Sequence, residues 1–329
     1  MNKVRRRLLT LFVLVAGALA APWASAKEEP PADDIVITGA SGGLAGEVID
    51  ALLARGVSPD KLILVTRTPE KLSFLVERGA QVRAGDFNKP DGLPAAFAGG
   101  KKLLLISANG SGDRVAQHTA AIDAARRAGI RYIVYTSWIN AVPENPAAVT
   151  RDHRLTEDAI RKSGIAYTIL RNQRYAEGLI EPGRQAIASG VIVSNSGRGK
   201  WAPVARRDCA AAAAAVLTTP GHERQTYEIT GPELISEYDF AKLLTQVTGK
   251  PVRVVDVDDA TYIETLVKSG VPEESAKMAA SFGLATRVSA INIKSDVLQL
   301  LLGHPPQSVR ELLTRNKAQL LSPAAAAVH

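Results

Sequence analysis

The sequence predicts an α/β protein in which a doubly wound parallel sheet precedes a smaller, mainly helical α+β lobe. Two observations support the sheet. Apolar, β-branched runs alternate with segments of helical periodicity over residues 34–171, and a turn of small residues joins the first run to the first helix. A third observation separates the lobe, because this alternation ends after Asn172. The predicted boundaries are 27–172 for the sheet domain, 173–321 for an interleaved lobe and 322–329 for a flexible tail.

Residues 1–26 have the pattern of a secretory signal peptide and are excluded from the fold. Lys3 and the arginines at 5–7 form a basic start, residues 8–21 form an apolar core, and small residues precede a cleavage site near Ala26. The apolar run is shorter than the roughly 20 residues that span a bilayer, which favours cleavage over an uncleaved anchor. We therefore expect an exported, periplasmic protein with no stable membrane span after cleavage.

Composition argues against several function classes. The predicted signal carries four positive charges and no negative ones, so the net charge of the remainder falls from +7 to +3. No lysine or arginine run is long enough to suggest a nucleic-acid partner. Cys209 is the only cysteine and lies among alanines, where a small buried residue is favoured over a nucleophile. No metal site is predicted, because metal-ligand spacing is lacking among His118, His153, His222, His304 and His329.

The first strand, at 35–37, runs into a glycine turn from which a helix leaves. Gly39, Gly42 and then Ala45 or Gly46 form a G-x-x-G-x-x-A pattern, which is weak evidence alone and stronger between a strand and a helix. Glycines let a phosphate approach the backbone, and the N–H groups at the helix start attract its charge. The pattern favours a pyrophosphate site over a tight turn without a ligand.

The second strand, at 62–65, indicates which dinucleotide binds. At this position an acidic residue suits the ribose 2′-hydroxyl of NAD, whereas arginine suits the 2′-phosphate of NADP. No acid stands there, while Arg67 and, one helical turn later, Lys71 can donate charge-assisted hydrogen bonds. NADP(H) is the expected cofactor, and a plain surface role for Arg67 is the alternative.

The rest of the sheet domain follows the same rhythm. The predicted elements are a helix at 69–78, strands at 81–84 and 102–107, a helix at 114–128, a strand at 132–137, a helix at 156–162 and a strand at 165–170. Asp86 and Phe87 follow the third strand, where they can contact an adenine or cap the next turn. The loop 108–112 after the fourth strand lies at the edge expected for the nicotinamide half of a dinucleotide.

Beyond Asn172 the predicted elements become irregular. They are a helix at 175–188, a strand at 191–193, a helix at 207–217, strands at 226–230 and 252–257, and a mainly helical remainder at 260–321 with breaks at 270–272 and 303–306. This lobe is expected to form one wall of a cleft against the sheet domain.

Taken together, these residues resemble the NmrA-like branch of the atypical short-chain dehydrogenase/reductase superfamily, and within it the NAD(P)H:quinone oxidoreductase type 2 group. The resemblance covers nearly all of the chain after the predicted signal. It rests on the order and spacing of segments at 38–42, 65–71, 85–87, 104–107, 132–137, 153–157, 167–172 and 227–232. It implies an NADP-binding Rossmann domain, a small carboxyl-terminal lobe, and hydride transfer from NADPH to a quinone-type acceptor bound between them.

The resemblance also implies roles for individual residues. Gly39, Ser41, Gly42, Gly43 and Leu44 would hold the pyrophosphate. Arg67 and Lys71 would bind the 2′-phosphate, and Asp86 and Phe87 the adenine. Ser107, Ser137 and His153 would lie near the nicotinamide, and Asn172 near the quinone; His153 and Asn172 are the candidate catalytic residues.

Two departures from the superfamily matter. Where a typical short-chain dehydrogenase has Tyr-x-x-x-Lys, this chain has Val149 and His153, so no tyrosine acid is available. A quinone tolerates that loss, since hydride addition gives a stabilised anion that water can protonate. His153 either polarises or protonates an oxygen, or contacts the ribose or is structural. Asn172 either donates a hydrogen bond to the quinone or caps the next helix.

The second departure is Arg174, which stands where the group usually has an aromatic residue.

Three functions remain open at this point. The first is an NADPH-dependent quinone reductase. The second is a non-catalytic NADP(H) sensor of the NmrA-like type, with which the missing tyrosine and Arg174 are compatible. The third, less favoured without the usual lysine, is a reductase of a flavin-like or isoflavone-like acceptor. A homodimer is compatible with each of them.

Overall fold

The computed structural model describes residues 33–108 and 112–323. The predicted signal peptide and cleavage site lie outside these residues, as does most of the predicted tail. No helix within the described ranges combines the length and the apolar character that crossing a bilayer requires.

A seven-stranded, wholly parallel sheet forms the centre of the fold, with strand order β3-β2-β1-β4-β5-β6-β8. Its strands are β1 Ile35–Thr38, β2 Leu62–Thr66, β3 Gln81–Ala84, β4 Lys102–Leu105, β5 Tyr132–Trp138, β6 Ala166–Asn172 and β8 Gln225–Ile229. A separate parallel pair joins β7 Val191–Ser194 to β9 Arg253–Asp256. The central strands are buried because helices cover both faces of the sheet. The predicted doubly wound Rossmann-type sheet is confirmed.

The helices occupy the connections between strands and most of the carboxyl-terminal segment. They are α1 Gly43–Ala54, α2 Ser73–Val76, α3 Leu93–Phe97, α4 Arg114–Arg127, α5 Thr150–Lys162, α6 Ile180–Ser189, α7 Arg206–Thr218, α8 Glu237–Thr248, α9 Asp259–Lys268, α10 Glu273–Arg287, α11 Val297–Leu302, α12 Val309–Arg315 and α13 Lys317–Leu321. The predicted mainly helical character of the last part of the chain is confirmed.

Three helices differ from the prediction. The helix expected at 69–78 is a 3-10 turn at Pro69–Leu72 followed by the single turn of α2. The five-residue α3 was not predicted, because one turn is too short to show helical periodicity. Helix α5 begins at Thr150 and not at 156, since its first turn buries Thr150 and His153, polar residues that give no apolar pattern.

Two layers of helices cover the sheet. On one face, α1 and α7 pack against residues such as Ile37 and Leu64, and the alanines of α7 allow close approach. On the other face, α3, α4 and α5 pack against alternate residues such as Val36 and Ile63. Cys209 lies in the first layer, 1% exposed, and burial raises the pKa of its thiol. This agrees with the small buried role expected for it.

Residues after Asn172 contribute to both parts of the fold. Strand β8 extends the main sheet beside β6, and α7 packs on α1, so this segment is interleaved with the first. A third apolar cluster, which includes Trp201, Phe240 and Leu313, holds α6, α8 and α12 together. The carboxyl end of β6 therefore lies where the sheet meets the later helices.

Candidate active site

The glycine turn after β1 presents backbone donors. Gly39 has φ +61°, and the Gly42 N–H donates to the Gly39 carbonyl at 2.8 Å, which closes the turn. Helix α1 begins at Gly43 with Gly42 as its N-cap, and no side chain caps its first N–H groups. These donors and the helix dipole form a local anion site. A Cβ on Gly42 would lie 3.1 Å from the Gly39 oxygen, closer than ordinary van der Waals contact, so glycine suits this turn best.

A cavity of about 330 Å³ adjoins this turn at the carboxyl ends of β1 to β4. Many of the predicted cofactor residues line it, namely Gly39, Ser41, Gly42, Arg67, Asp86, Phe87 and Ser107. Its other lining residues are Thr66, Gly85, Asn88, Ile106, Ala108 and Gln117. The structure thus brings together residues from the four loops to which the sequence assigned cofactor contacts.

The remaining predicted residues lie outside this lining. Gly43 and Leu44 are the first two residues of α1, where Leu44 is buried in the core, and Lys71 is exposed on the 3-10 turn. Ser137, His153 and Asn172 are buried further along the sheet edge, at β5, α5 and β6. Their predicted roles toward cofactor or acceptor stay predictions.

Three hydroxyl groups surround the position of Arg67. The Ser41 and Thr66 hydroxyls lie 2.7 Å apart, and the Thr68 hydroxyl donates to Ser41 Oγ at 3.2 Å. Arg67 itself is exposed and forms no ion pair with any residue of the described ranges. A guanidinium beside several hydroxyl donors matches the chemistry of a ribose phosphate.

Asp86 and Phe87 shape the far end of the cavity. The Asp86 carboxylate accepts the Asn88 N–H at 3.0 Å, so Asp86 both lines the cavity and caps its turn. Asn88 in turn accepts a hydrogen bond from Gln117 at 2.9 Å. Phe87 packs edge-on against His118, with ring centroids 6.2 Å apart. This end of the cavity is therefore built by the segment after β3 and the start of α4 together.

The segment after β4 is fixed by hydrogen bonds to neighbouring elements. The Ser107 N–H donates to Thr136 Oγ1 at 2.9 Å, and the Ala108 N–H donates to His118 Nε2 at 3.0 Å. Arg114 closes the other side by donating to the Ala108 carbonyl at 2.9 Å. This wall of the cavity is therefore held in place by its backbone.

Behind that wall lies a buried group of polar rings. Because His118 Nε2 accepts the Ala108 N–H, its proton resides on Nδ1 and is donated to Thr156 at 2.9 Å. The Tyr135 hydroxyl and His153 Nδ1 lie 2.8 Å apart and share a hydrogen bond. Burial, assisted by the charge of Arg114, lowers the pKa of both His118 and His153 to about 3. At neutral pH His153 is a neutral ring and not an imidazolium acid.

Ser137 belongs to a second buried network. Its hydroxyl donates to Glu157 at 2.6 Å, and Glu157 is fully buried. Arg171 forms two hydrogen bonds of 2.8 Å with Glu157, and Arg161 forms another of 2.9 Å. Arg171 also pairs with Glu228 at 3.0 Å, which ties β6 to β8. The Ser137 hydroxyl therefore donates its hydrogen bond to Glu157 within the protein.

The ends of β5 and β6 present unfilled polar atoms. Asn172 is 5% exposed and pairs in register with Trp138. Asn172 Oδ1 and Trp138 Nε1 are buried without a partner among the described residues. The next 3-10 helix begins at Ala176 without a side-chain cap, so Asn172 does not cap it. One acceptor and one donor therefore remain available at this edge.

Sequence reasoning missed several residues at the site. Asn88, Gln117 and His118 were overlooked because an amide or imidazole in a loop or first helical turn carries no pattern of its own. Arg206, at the start of α7, lies over the glycine turn: its guanidinium would be 3.2 Å from a Cβ on Gly43 and pairs with Glu47 at 2.9 Å. Only the fold brings Arg206 to a turn far away in the sequence.

Comparisons with known proteins give one family and several relatives. Residues 39–220 match the family described as NAD(P)H-binding. Quinone oxidoreductase 2 from Escherichia coli strain K12 is 35% identical over 277 residues, which cover 84% of this chain and 96% of that protein. NAD(P)H azoreductase from Xenophilus azovorans is 31% identical over 242 residues, covering 74% and 83% respectively. A crystal structure of an NADPH-dependent quinone oxidoreductase from Escherichia coli, complexed with NADPH, matches with a TM-score of 0.82 at 34% identity, covering 85% of this chain and 99% of that one.

Proposed function

The chain belongs to the NAD(P)H-binding family, and from that premise we propose that it is an NADPH-dependent reductase of a quinone-type acceptor. The resemblance inferred from its sequence motifs is confirmed by the family match and by the relative that is 35% identical. The chain is an enzyme of the NAD(P)H-dependent oxidoreductases. The quinone is the proposed part, and it is supported by the names of the similar proteins from Escherichia coli.

The cavity beside the glycine turn is the observation that carries the proposal. Its uncapped helix N–H groups fit a pyrophosphate, and Gly39, Ser41 and Gly42 of the turn line the cavity. At the end of β2, Arg67 and the hydroxyls of Ser41 and Thr68 fit a 2′-phosphate. These are the residues that would hold NADP(H), and no acidic side chain at this position competes for the phosphate.

When bound, NADPH supplies a hydride that, with one proton from water, converts the quinone to a hydroquinone and leaves NADP⁺. The contribution of the protein is positioning and exclusion of water. Ser107 and Ala108 hold one wall by their backbone, while Trp138 Nε1–H can donate to a quinone oxygen. Asn172 Oδ1 can accept a hydrogen bond from the hydroxyl formed after reduction. His153 has a structural role, because its lowered pKa keeps the ring neutral near pH 7.

A redox sensor and a different acceptor are the competing functions. Both curated relatives described above are named as reductases, which favours catalysis over a sensor. An azo compound is the next acceptor to test, since the Xenophilus azovorans relative is named for that reaction.

The first experiment titrates the purified protein with NADPH and NADH and then follows NADPH oxidation with a simple benzoquinone. We expect tighter binding of NADPH and quinone-dependent turnover. Binding of NADPH with no turnover on quinones or azo compounds would contradict the reductase and support the sensor. Failure to bind either nucleotide would contradict the cofactor assignment.

Export is a separate proposal that rests only on the pattern of residues 1–26. We propose that the chain is cleaved near Ala26 and delivered to the periplasm. Amino-terminal sequencing of protein from a periplasmic extract is expected to begin near Lys27. A chain that keeps its first residues and stays with the cytoplasmic fraction would refute the proposal.

A further inference from the structure

Arg174, two residues beyond the end of β6, lies on an aromatic platform. Its guanidinium carbon is 4.4 Å from the ring centroid of Trp201 and 5.5 Å from that of Phe282. Phe282 stacks in turn on Trp138, with centroids 5.1 Å apart and planes inclined by 25°. Four residues from distant parts of the chain therefore form one layer beside Asn172.

The positive charge of Arg174 is not neutralised within this layer. No carboxylate oxygen of residues 33–108 or 112–323 lies within 4.0 Å of its nitrogens. Burial lowers the pKa of Arg174, while Glu237 and Tyr262 are the charged and titratable groups that face it. Burial also raises the pKa of Glu237 and of Tyr262, and all three side chains are half-buried. A half-buried guanidinium that rests on aromatic rings and has no carboxylate partner can receive an anion.

The position of this cation relative to the cofactor cavity follows from the sheet. Ser107 follows β4 and lines the cavity, and Arg174 follows β6, with β5 between them. Neighbouring strands are about 4.8 Å apart, so two strand spacings separate these positions along one edge. A ring lying between Ser107 and Trp138 can therefore extend a substituent toward Arg174.

Building on the proposed function, we propose that the acceptor is an aromatic compound with an anionic substituent, a sulfonate or carboxylate, which Arg174 binds. The ring packs along Trp138 and Phe282, and the guanidinium donates to the anion. The electron balance is that of the parent reaction, because the anion takes no part in hydride transfer. Asn172 Oδ1 and Trp138 Nε1 remain for the reacting end of the molecule.

Naphthoquinone sulfonate and the parent naphthoquinone test this inference with the full-length protein and NADPH. Comparing the ratio of their kcat/KM values between wild type and variants cancels the difference in chemical reactivity. Arg174→Gln is expected to lower kcat/KM for the sulfonate roughly tenfold to hundredfold, the range for a hydrogen bond to a charged group, and to change the parent by less than about threefold. Arg174→Lys keeps the charge and is expected to recover part of the loss.

Arg198→Gln is the matched control. Arg198 also lies over an aromatic ring, with its guanidinium carbon 3.8 Å from the centroid of Tyr238, but it is exposed. The Arg198→Gln variant is expected to leave kcat/KM for both acceptors unchanged.

Equal losses of kcat/KM on both acceptors in Arg174→Gln, or no change on either, would overturn the inference. Arg174 would then only support the packing of the rings. Thermal unfolding of each variant identifies a loss that comes from misfolding.

A binding measurement separates this inference from the proposed function. Naphthalene sulfonate cannot accept a hydride, and its binding in the presence of NADP⁺ can be followed by tryptophan fluorescence. Binding by wild type that Arg174→Gln loses and Arg174→Lys partly retains would support the anion site even if no quinone were reduced. Wild-type protein that reduces quinones but binds the sulfonate no better than neutral naphthalene would refute the inference alone.

Discussion

The two halves of the site are built in different ways. The cofactor half, at the ends of β1 to β4, consists mainly of backbone donors and short side chains that follow their strands directly. The acceptor half, beyond β5 and β6, consists of large side chains such as Trp138, Arg174 and Phe282 that only the fold brings together. Under the proposed function, backbone geometry would therefore determine cofactor binding, whereas side chains would determine the acceptor. Substitutions in the two halves should change different measured quantities.

Gly42→Val is the strongest test of the cofactor half. The backbone of Gly42 is extended, at φ −84°, so valine causes no backbone strain there. Its side chain instead crowds the turn, since a Cβ would already lie 3.1 Å from the Gly39 carbonyl oxygen, at a position that lines the cavity. We expect NADPH affinity to fall by more than about a hundredfold, since several charge-assisted hydrogen bonds are lost together. Isothermal titration calorimetry measures this.

Gly46→Ala is the control for that change. Gly46 lies in the interior of α1, and a Cβ there meets nothing within 4 Å. Alanine should leave NADPH affinity unchanged and stabilise the helix by about 0.5–1 kcal/mol. If both glycine variants bind NADPH like wild type, the turn does not hold the pyrophosphate.

Arg67→Ala tests which nucleotide the cofactor half selects. Removing the guanidinium should weaken NADPH by about 1.5–3 kcal/mol, the range for a hydrogen bond to a charged group, and leave NADH nearly unaffected. Arg78→Ala is the matched comparison, because Arg78 is also an exposed arginine but does not line the cavity. Parallel titrations with both nucleotides measure the difference. Equal weakening of NADPH and NADH by Arg67→Ala would remove its assignment to the 2′-phosphate.

Asn172→Ala probes the acceptor half with a smaller expected effect. Loss of one neutral hydrogen bond, worth about 0.5–1.5 kcal/mol, should lower quinone turnover a few-fold. NADPH affinity should stay the same, because Asn172 lies at the end of β6 and outside the cavity lining. Steady-state kinetics and nucleotide titration of one preparation separate the two quantities. Unchanged turnover would exclude Asn172 from the acceptor site.

The meeting of several predicted residues around one cavity could be foreseen from the sequence because its signals are local. Gly39, Ser41 and Arg67 follow the apolar strands β1 and β2, and Asp86 follows β3, so the order of the strands locates them at one edge. Arg206 was missed because no local sequence pattern around it predicts its contact with the glycine turn that it covers.

The acceptor half shows the limit of sequence patterns. Arg174 was noted as a departure, yet its contact with Trp201 depends on a packing arrangement that no periodicity encodes. The first turn of α5 was missed for a related reason. It buries polar residues such as His153 and therefore lacks the apolar repeat by which an amphipathic helix is recognised.

Substitution of His153 should change the pH dependence of stability and have the smallest effect on the rate of turnover. Burial keeps its pKa at about 3, below the ordinary value of 6.5, so the folded protein binds fewer protons than the unfolded chain between these values. Its contribution to stability is complete above pH 6.5 and is lost as the pH falls toward 3, with a slope of up to about 1.4 kcal/mol per pH unit. His153→Gln should reduce that slope in urea unfolding measured from pH 4.5 to 7.5.

Quinone turnover of the wild type should show no ionisation of His153 in that range, because the ring is already neutral. A step in the pH–rate profile near 6.5 that His153→Gln abolishes would instead make His153 a proton donor in the reaction.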